Sequence, residues 1–361
     1  IRAEADRLRA AIEARGAEVF EADILQPAGA LLDLYGEDIR ARAFVTHDPL
    51  QGEMMLRPDF TVPLVQRHME QGRDAARYSY SGEVFRRQED GADRAVEYMQ
   101  VGYEVFGEMP AEADAEVFAT FMDLLAPLHL RAAIGDIGLL QAAVSGLQTS
   151  AVRKAALMRH LWRPGRFKSL LTRFSNAPRP VPDSVGDGVV IGLRGRDEVE
   201  ARLDRLRSDF DTPPLGAEDI DMIDALLNVR DKVPAALTKL TEIASEMPAI
   251  SQAIAALEKR LDAMAARGVP IDALDFEASY GRTTLEYYDG FVFGFYADAR
   301  SDLPPVATGG RYDALTRALG GDAAASAVGR TSSAMIGWSK VDPAGNVPVQ
   351  RSRNGTRMPP S

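Results

Sequence analysis

Three short stretches and a tyrosine pair concentrate the polar side chains of this chain that can do chemistry. In 56-LRPDFT-61, Asp59 and Thr61 sit in a tight turn and can accept hydrogen bonds from an ammonium group. The same residues also read as an ordinary helix entry with a side-chain cap. In 82-GEVFRRQED-90, Arg86 offers a guanidinium able to hold a carboxylate or phosphate through two parallel hydrogen bonds. A carboxylate across a strand pair is its alternative partner. In 96-VEYMQVGYEVFGE-108, Gln100, Gly102 and Glu104 fall at every second position, so on a strand they share one face. A glycine weakens a strand and often marks close approach of a ligand or another backbone. An amide, a gap and a carboxylate in line then form a floor for a small cationic ligand; the solvent face of an edge strand is the competing reading. Tyr287 and Tyr288, in 285-LEYYDG-290, point to opposite faces of a strand, one into a core and one toward a cleft.

The elements that must position these groups follow from periodicity. Ala5, Leu8, Ala11 and Ile12 recur at helical spacing over 2–15, and Gly16 is placed to end that helix. Residues 17–28 read as extended, and 43–56 as extended with a turn near 48-DPLQGE-53. Thr61 is placed to cap a helix over 61–71 with Pro63 in its first turn. Residues 77–87 and 96–108 alternate β-branched and aromatic residues around the polar loop 88-QEDGADRA-95, which predicts an antiparallel hairpin. Its second strand aims Met99, Val101, Tyr103 and Val105 at a core. A helix is expected over 112–126, a largely helical block over 136–268, a strand over 285–298, a Gly turn opening a helix at 307-ATGGRYDALTRALGG-321, and an apolar stretch at 327–338. Strands on both sides of a helical block predict an α+β fold, not a βαβ dinucleotide fold. The domain reading is a core in two parts, 1–135 and 269–338, a mainly helical insertion at 136–268, and a disordered polar tail at 339–361.

Composition removes several function classes. The chain has 361 residues, 46% hydrophobic, enough for a sizeable core. It has no cysteine, so disulfides, thiolate catalysis and Cys-based zinc sites are excluded. Its four histidines, His47, His68, His129 and His160, are scattered and form no metal motif, so no metal and no cofactor are expected. A net charge of −11 argues against a protein whose main task is gripping nucleic acid. No apolar run reaches the length of about 18 residues that a membrane span needs, and no signal peptide is evident, so a cytoplasmic location is expected. The chain begins at Ile1, which leaves the native N-terminus open.

In their order, 56-LRPDFTVPLV-65, 82-GEVFRR-87, 100-QVGYEVFG-107, 285-LEYYDG-290 and 309-GGRYDAL-315 resemble the histidyl-tRNA synthetase-like catalytic domain, a class II synthetase fold. The resemblance runs over residues 1–338. It implies a pocket for free histidine. Asp59, Thr61 and Gln100 would meet the α-amino group and Glu104 the imidazole. Arg86 would lie beside the carboxylate. Tyr288 would close the pocket, with Tyr287 beside it in the same motif.

The chain departs from the synthetase pattern at defined points. Gln88 stands where the second motif has Glu, and the following loop carries Glu89, Asp90 and Asp93 against Arg94 alone. An acidic loop there repels ATP phosphates and a tRNA end. The arginine ahead of the tyrosine pair aligns with Thr283. Arg282 is one residue off, and on a strand one residue reverses the face. The last motif, 329-GRTSSAMIGW-338, lacks its ATP-holding arginine, and no anticodon-binding domain is expected. A kept histidine pocket with eroded ATP and tRNA equipment resembles the regulatory subunits of ATP phosphoribosyltransferase, synthetase paralogues of histidine biosynthesis. That resemblance implies a non-catalytic chain with no activity alone, required by a short-form catalytic subunit at the first step. It also implies feedback by L-histidine, a synthetase-type dimer within a hetero-octamer of four plus four chains, and no tRNA or membrane partner. A truncated synthetase-like enzyme that adenylates an amino acid is the alternative, and a plain amino-acid-binding scaffold is a third class.

Overall fold

The computed structural model describes residues 1–29, 41–87, 95–177, 195–282, 288–298, 304–324 and 332–338. The loop 88–94, Tyr287 and the tail 339–361 lie outside the described residues, as do the expectations placed on them.

The frame is a nine-stranded mixed sheet. In chain order its strands are β1 (Glu18–Val19), β5 (Ala76–Phe85), β6 (Glu97–Phe106), β7 (Arg131–Asp136), β8 (Arg230–Lys232), β9 (Asp275–Glu277), β10 (Phe291–Tyr296), β11 (Ala307–Arg311) and β12 (Ser332–Trp338). Their spatial order is β1-β5-β6-β12-β11-β10-β7-β9-β8. The six central strands are antiparallel; only β1 with β5 and β7 with β9 pair in parallel. A small second sheet joins β2 (Leu25–Pro27), β3 (Val45–Asp48) and β4 (Gly52–Leu56). The stretch expected to be extended over 17–28 is thus two short strands serving different sheets.

The expected hairpin forms with Gly82 opposite Gln100 and Tyr80 opposite Gly102. Opposed residues share a face, so Tyr78, Tyr80, Gly82, Gln100, Gly102 and Glu104 all project to one side. Helix α1 (Arg2–Glu13) buries Ala5, Leu8 and Ile12, and Gly16 takes a left-handed φ of 88° just beyond it. Helix α2 (Thr61–Gln71) lies on the face of Glu104, with His68 ring-to-ring against Phe106 at 4.0 Å. Helix α3 (Pro110–Leu125) lies on the opposite face, where Phe118 packs among Phe291, Phe293 and Phe295.

The sequence between β7 and β9 is mainly helical. It contains α4 (Ile137–Gly146), α5 (Ala151–Arg159), α6 (Pro164–Ser175), α7 (Arg196–Phe210), α8 (Ala217–Leu227), α9 (Val233–Glu246) and α10 (Ser251–Ala265). Helix α10 packs along α3 and belongs to the central core. Its Arg260 reaches Asp114 of α3 at 2.7 Å and Asp136 at the start of α4 at 2.6 Å. Asp114 also binds Arg311 of β11 at 2.8 Å. All four groups are buried, and each charge faces an opposite one.

Two local expectations are corrected. Gly309 and Gly310 are not a turn; they lie within β11, and helix α11 (Asp313–Ala324) begins two residues after the strand. A side chain at Gly310 would meet the Phe291 carbonyl and the Tyr288 ring, each at 2.8 Å, so the strand needs glycine there. Thr61 does not cap α2: the cap position is Phe60, with no side-chain bond, and the Thr61 hydroxyl is used elsewhere.

Candidate functional site

The row Gln100, Gly102, Glu104 is not a solvent face. Gln100 and Glu104 are both 0% exposed. Strand β6 is central, with β5 on one side and β12 on the other, so its polar row is covered by α2 and by side chains from the sheet itself.

Glu104 is held by three hydroxyl groups. Thr61 Oγ1 donates to Oε1 at 2.9 Å, Tyr80 donates to Oε1 at 3.2 Å, and Tyr312 donates to Oε2 at 2.6 Å. No cation approaches it among the described residues. Burial pushes its pKa up to about 7, the nearby Asp59 carboxylate adds to the rise, and the three hydroxyl donors oppose it. Such a carboxyl is half ionised near neutrality and lacks a counter-charge. A ligand N–H carrying positive charge would supply one.

Asp59 is also wholly buried. Its Oδ2 lies 3.9 Å from Arg86 Nη2, and Arg86 Nε donates to the Pro58 carbonyl at 2.8 Å. Arg86 thus turns toward the turn that carries Asp59, with the Tyr98 ring 5.8 Å from its guanidinium. Neighbouring Arg57 fixes that turn by donating to the Glu83 carbonyl at 2.8 Å and stacking 4.2 Å over Phe60.

Gln100 has both amide atoms buried and, among the described residues, without a hydrogen-bond partner. It sits between two glycines, Gly82 on β5 and Gly337 on β12. A buried amide with no partner costs about 1–3 kcal/mol per unmet group, which a ligand bearing a donor and an acceptor would recover.

The gap at Gly102 has a different use from the one its sequence suggested. A side chain there would collide with the Tyr80 ring, which lies across it and reaches Glu104. The same device recurs along this face. The Arg57 guanidinium and the Phe60 ring fill the space over Gly82, the Tyr280 hydroxyl that over Gly294, and the Tyr288 ring that over Gly310. Gly310 lies in one row with Ser333 and Glu104 across β11, β12 and β6. Tyr288 is therefore on the Glu104 face, but in the irregular segment before β10, not on a strand. It is 1% exposed.

The structure thus brings Asp59, Thr61, Arg86, Gln100 and Glu104 to one region of one face, with Tyr288 packed farther along it. Sequence reasoning missed Tyr80 and Tyr312. Tyr80 was readable as the residue opposite Gly102 in the hairpin; Tyr312, inside 309-GGRYDAL-315, was passed over. Arg282 departs from the region: its Nε donates to the Leu161 carbonyl at 2.8 Å and its guanidinium lies 5.0 Å from the Phe167 ring. It sits in a turn, so the face-reversal argument for a strand does not apply to it. Among the described residues no group of three or more His, Asp or Glu could hold a metal ion, and no helix is long and apolar enough to cross a membrane.

An antiparallel sheet with a polar, wholly buried row on its helix-covered face is the frame of a class II synthetase-type fold. The family model for histidyl-tRNA synthetase matches residues 2–178 and 196–333. Among solved structures, the chain is similar to an ATP phosphoribosyltransferase regulatory subunit/histidyl-tRNA synthetase from Bacillus halodurans. That match has 20% identity, covers 92% of this chain and 76% of the other, and has a TM-score of 0.66. It is also similar to a histidyl-tRNA synthetase from Nostoc sp. PCC 7120, with 16% identity, 92% and 68% coverage and a TM-score of 0.60. Those two likenesses speak for the fold. Among curated proteins, the ATP phosphoribosyltransferase regulatory subunit of Brucella canis is 30% identical over 354 residues, 89% of this chain and 93% of that protein. The subunit of Brucella anthropi is 29% identical over 344 residues, 87% and 90% of the two chains. Within the histidyl-tRNA synthetase fold group, the chain belongs to the family of ATP phosphoribosyltransferase regulatory subunits.

Proposed function

We propose that this chain is the non-catalytic regulatory subunit of an ATP phosphoribosyltransferase, acting at the first step of histidine biosynthesis. In this reading it is required for full activity of a short-form catalytic chain and carries feedback by L-histidine. The assembly is a hetero-octamer of four regulatory and four catalytic chains, the regulatory ones paired through the synthetase-type dimer. It works in the cytoplasm and takes no tRNA. It needs no cofactor.

The observation that carries the reading is the unmet Gln100 amide in the same buried row as Glu104, which no cation approaches among the described residues. In this assignment Asp59, Thr61 and Gln100 take the α-amino group, Glu104 the imidazole and Arg86 the carboxylate, with Tyr287 and Tyr288 closing the pocket. Histidine regulates only if it binds one state of the assembly better than another, and a coupling of about 1–3 kcal/mol would be ordinary.

The test is to mix the purified chain with a short-form catalytic chain and follow turnover. A large rise on mixing, reversed by histidine, is expected. Histidine-dependent ATP–pyrophosphate exchange by the chain alone would instead make it a ligase and end the regulatory reading.

A further inference from the structure

Charge is segregated in the helical sequence between β7 and β9. Helix α6 contains Arg166, Lys168 and Arg173 and no Asp or Glu. Helix α8 contains Glu218, Asp219, Asp221 and Asp224 and no Lys or Arg. Of these, Arg166, Lys168, Arg173, Glu218, Asp221 and Asp224 are exposed, and none of the six joins an ion pair among the described residues.

The two helices are neighbours. The Leu215 N–H donates to the Phe174 carbonyl at 2.8 Å, so the start of α8 is held beside the end of α6. Arg166 and Arg173 share one flank of α6, outside its buried Phe167, Leu171 and Phe174, and lie about 10 Å apart along the axis. Glu218, Asp221 and Asp224 recur at every third position, away from the buried Ile223 and Leu226, and span about 9 Å. A basic strip and an acidic strip of similar length thus adjoin.

Neither strip serves its own helix. Arg166 stands in the first turn of α6, where the helix dipole favours an acid, and no acid is present in that turn. Asp224 stands in the last turn of α8, where the dipole favours a base, and no base is present there. Glu218, Asp221 and Asp224, three residues apart, also repel one another along the helix. Charges set against local preference are offset by opposite charge from outside the helix, and the described residues of this chain supply none to them.

We propose that the α6–α8 surface is a docking face for a second copy of this chain, with the basic strip of each copy on the acidic strip of the other. Under a two-fold axis a surface with adjoining strips of opposite sign is complementary to itself. Arg166 and Arg173 of one protomer then meet the acids of α8 on its partner, and the reverse. A partner of single sign would satisfy one strip and be repelled by the other, so a second copy is the occupant that fits both. The face is distinct from the Glu104 region and does not depend on the regulatory reading.

Sedimentation of the full chain at low and high salt tests this. Exposed ion pairs are individually weak and screened by salt, so association present at low salt and reduced at high salt is expected. Arg166→Glu with Arg173→Glu, and separately Asp221→Arg with Asp224→Arg, should each weaken association about tenfold. The new charges at 166 and 224 suit the helix dipoles, so helix content and melting temperature should hold, which separates lost association from lost fold. Each variant alone carries two strips of like sign, yet the two variants complement each other at both contacts. An equimolar mixture should therefore regain the native size. A native size that does not change with salt, unchanged association in either variant, or no recovery in the mixture would each overturn the proposal. Binding of heparin through α6 by a chain that does not self-associate would place a polyanion there instead and overturn it too.

Discussion

The two faces of the central sheet treat buried charge in opposite ways. On the α3 face, Asp114, Asp136, Arg260 and Arg311 form a closed network with contacts of 2.6 to 2.8 Å, each acid meeting a guanidinium. On the α2 face, Glu104 is equally buried but is surrounded by three neutral hydroxyls, and the Arg86 Nη2 to Asp59 Oδ2 contact is 3.9 Å. The first arrangement joins elements and leaves nothing for a visitor to bind. The second leaves a buried carboxyl without a cation and a buried amide without a hydrogen-bond partner among the described residues.

Breaking the closed face should have the largest effect. Arg260→Met strips Asp114 and Asp136 of their shared cation and should cost about 3–5 kcal/mol of stability in chemical denaturation. A smaller loss would mean that the network is less tightly coupled than its distances indicate.

The open face should reveal itself next, through pH. Because the folded pKa of Glu104 is raised to about 7 from its usual 4.5, the protonated form is the one the fold prefers. The associated stability is complete below about pH 4.5 and is lost as pH rises through about 7. Relative to Glu104→Gln, the native chain should lose about 3 kcal/mol across that window. Parallel pH profiles of the two proteins would show that Glu104 does not titrate there.

Ligand affinity comes third. Glu104→Gln removes a charge-assisted acceptor and should weaken histidine binding by about 1.5–3 kcal/mol in calorimetry. Unchanged affinity would remove Glu104 from the site.

The smallest effect concerns the element that brings Tyr312 into place. Asp289 accepts from the N–H groups of Asp313 and Ala314 at 2.9 and 2.6 Å and meets Arg317 at 3.0 Å, so it caps α11 from outside the helix. Asp289→Ala should cost about 1 kcal/mol, measurable as a lowered melting temperature, with a slight loss of histidine affinity because Tyr312 precedes that helix.

The hairpin and its face assignment were legible because alternation over ten residues fixes which side chains share a side. What sequence could not supply was the occupant of each gap. Gly102 reads as space for a ligand until the register sets Tyr80 across it. Gly309 and Gly310 read as a turn because strand glycines and turn glycines look alike when the ring that requires them is elsewhere in the chain. Thr61 reads as a cap by position, yet its hydroxyl is drawn 43 residues away to Glu104. The Asp114–Arg260 pair spans 146 residues and leaves no local pattern at all.

The glycine-and-ring pairs on the Glu104 face also constrain how this protein can vary. Enlarging Gly102 alone drives a side chain into Tyr80, and shrinking Tyr80 alone leaves a cavity and strips a donor from Glu104. Neither change is an easy first step. Along this surface, diversification should proceed by concerted exchange of both members of a pair, so that a lineage carrying a side chain at the Gly102 position should also carry a smaller residue opposite it.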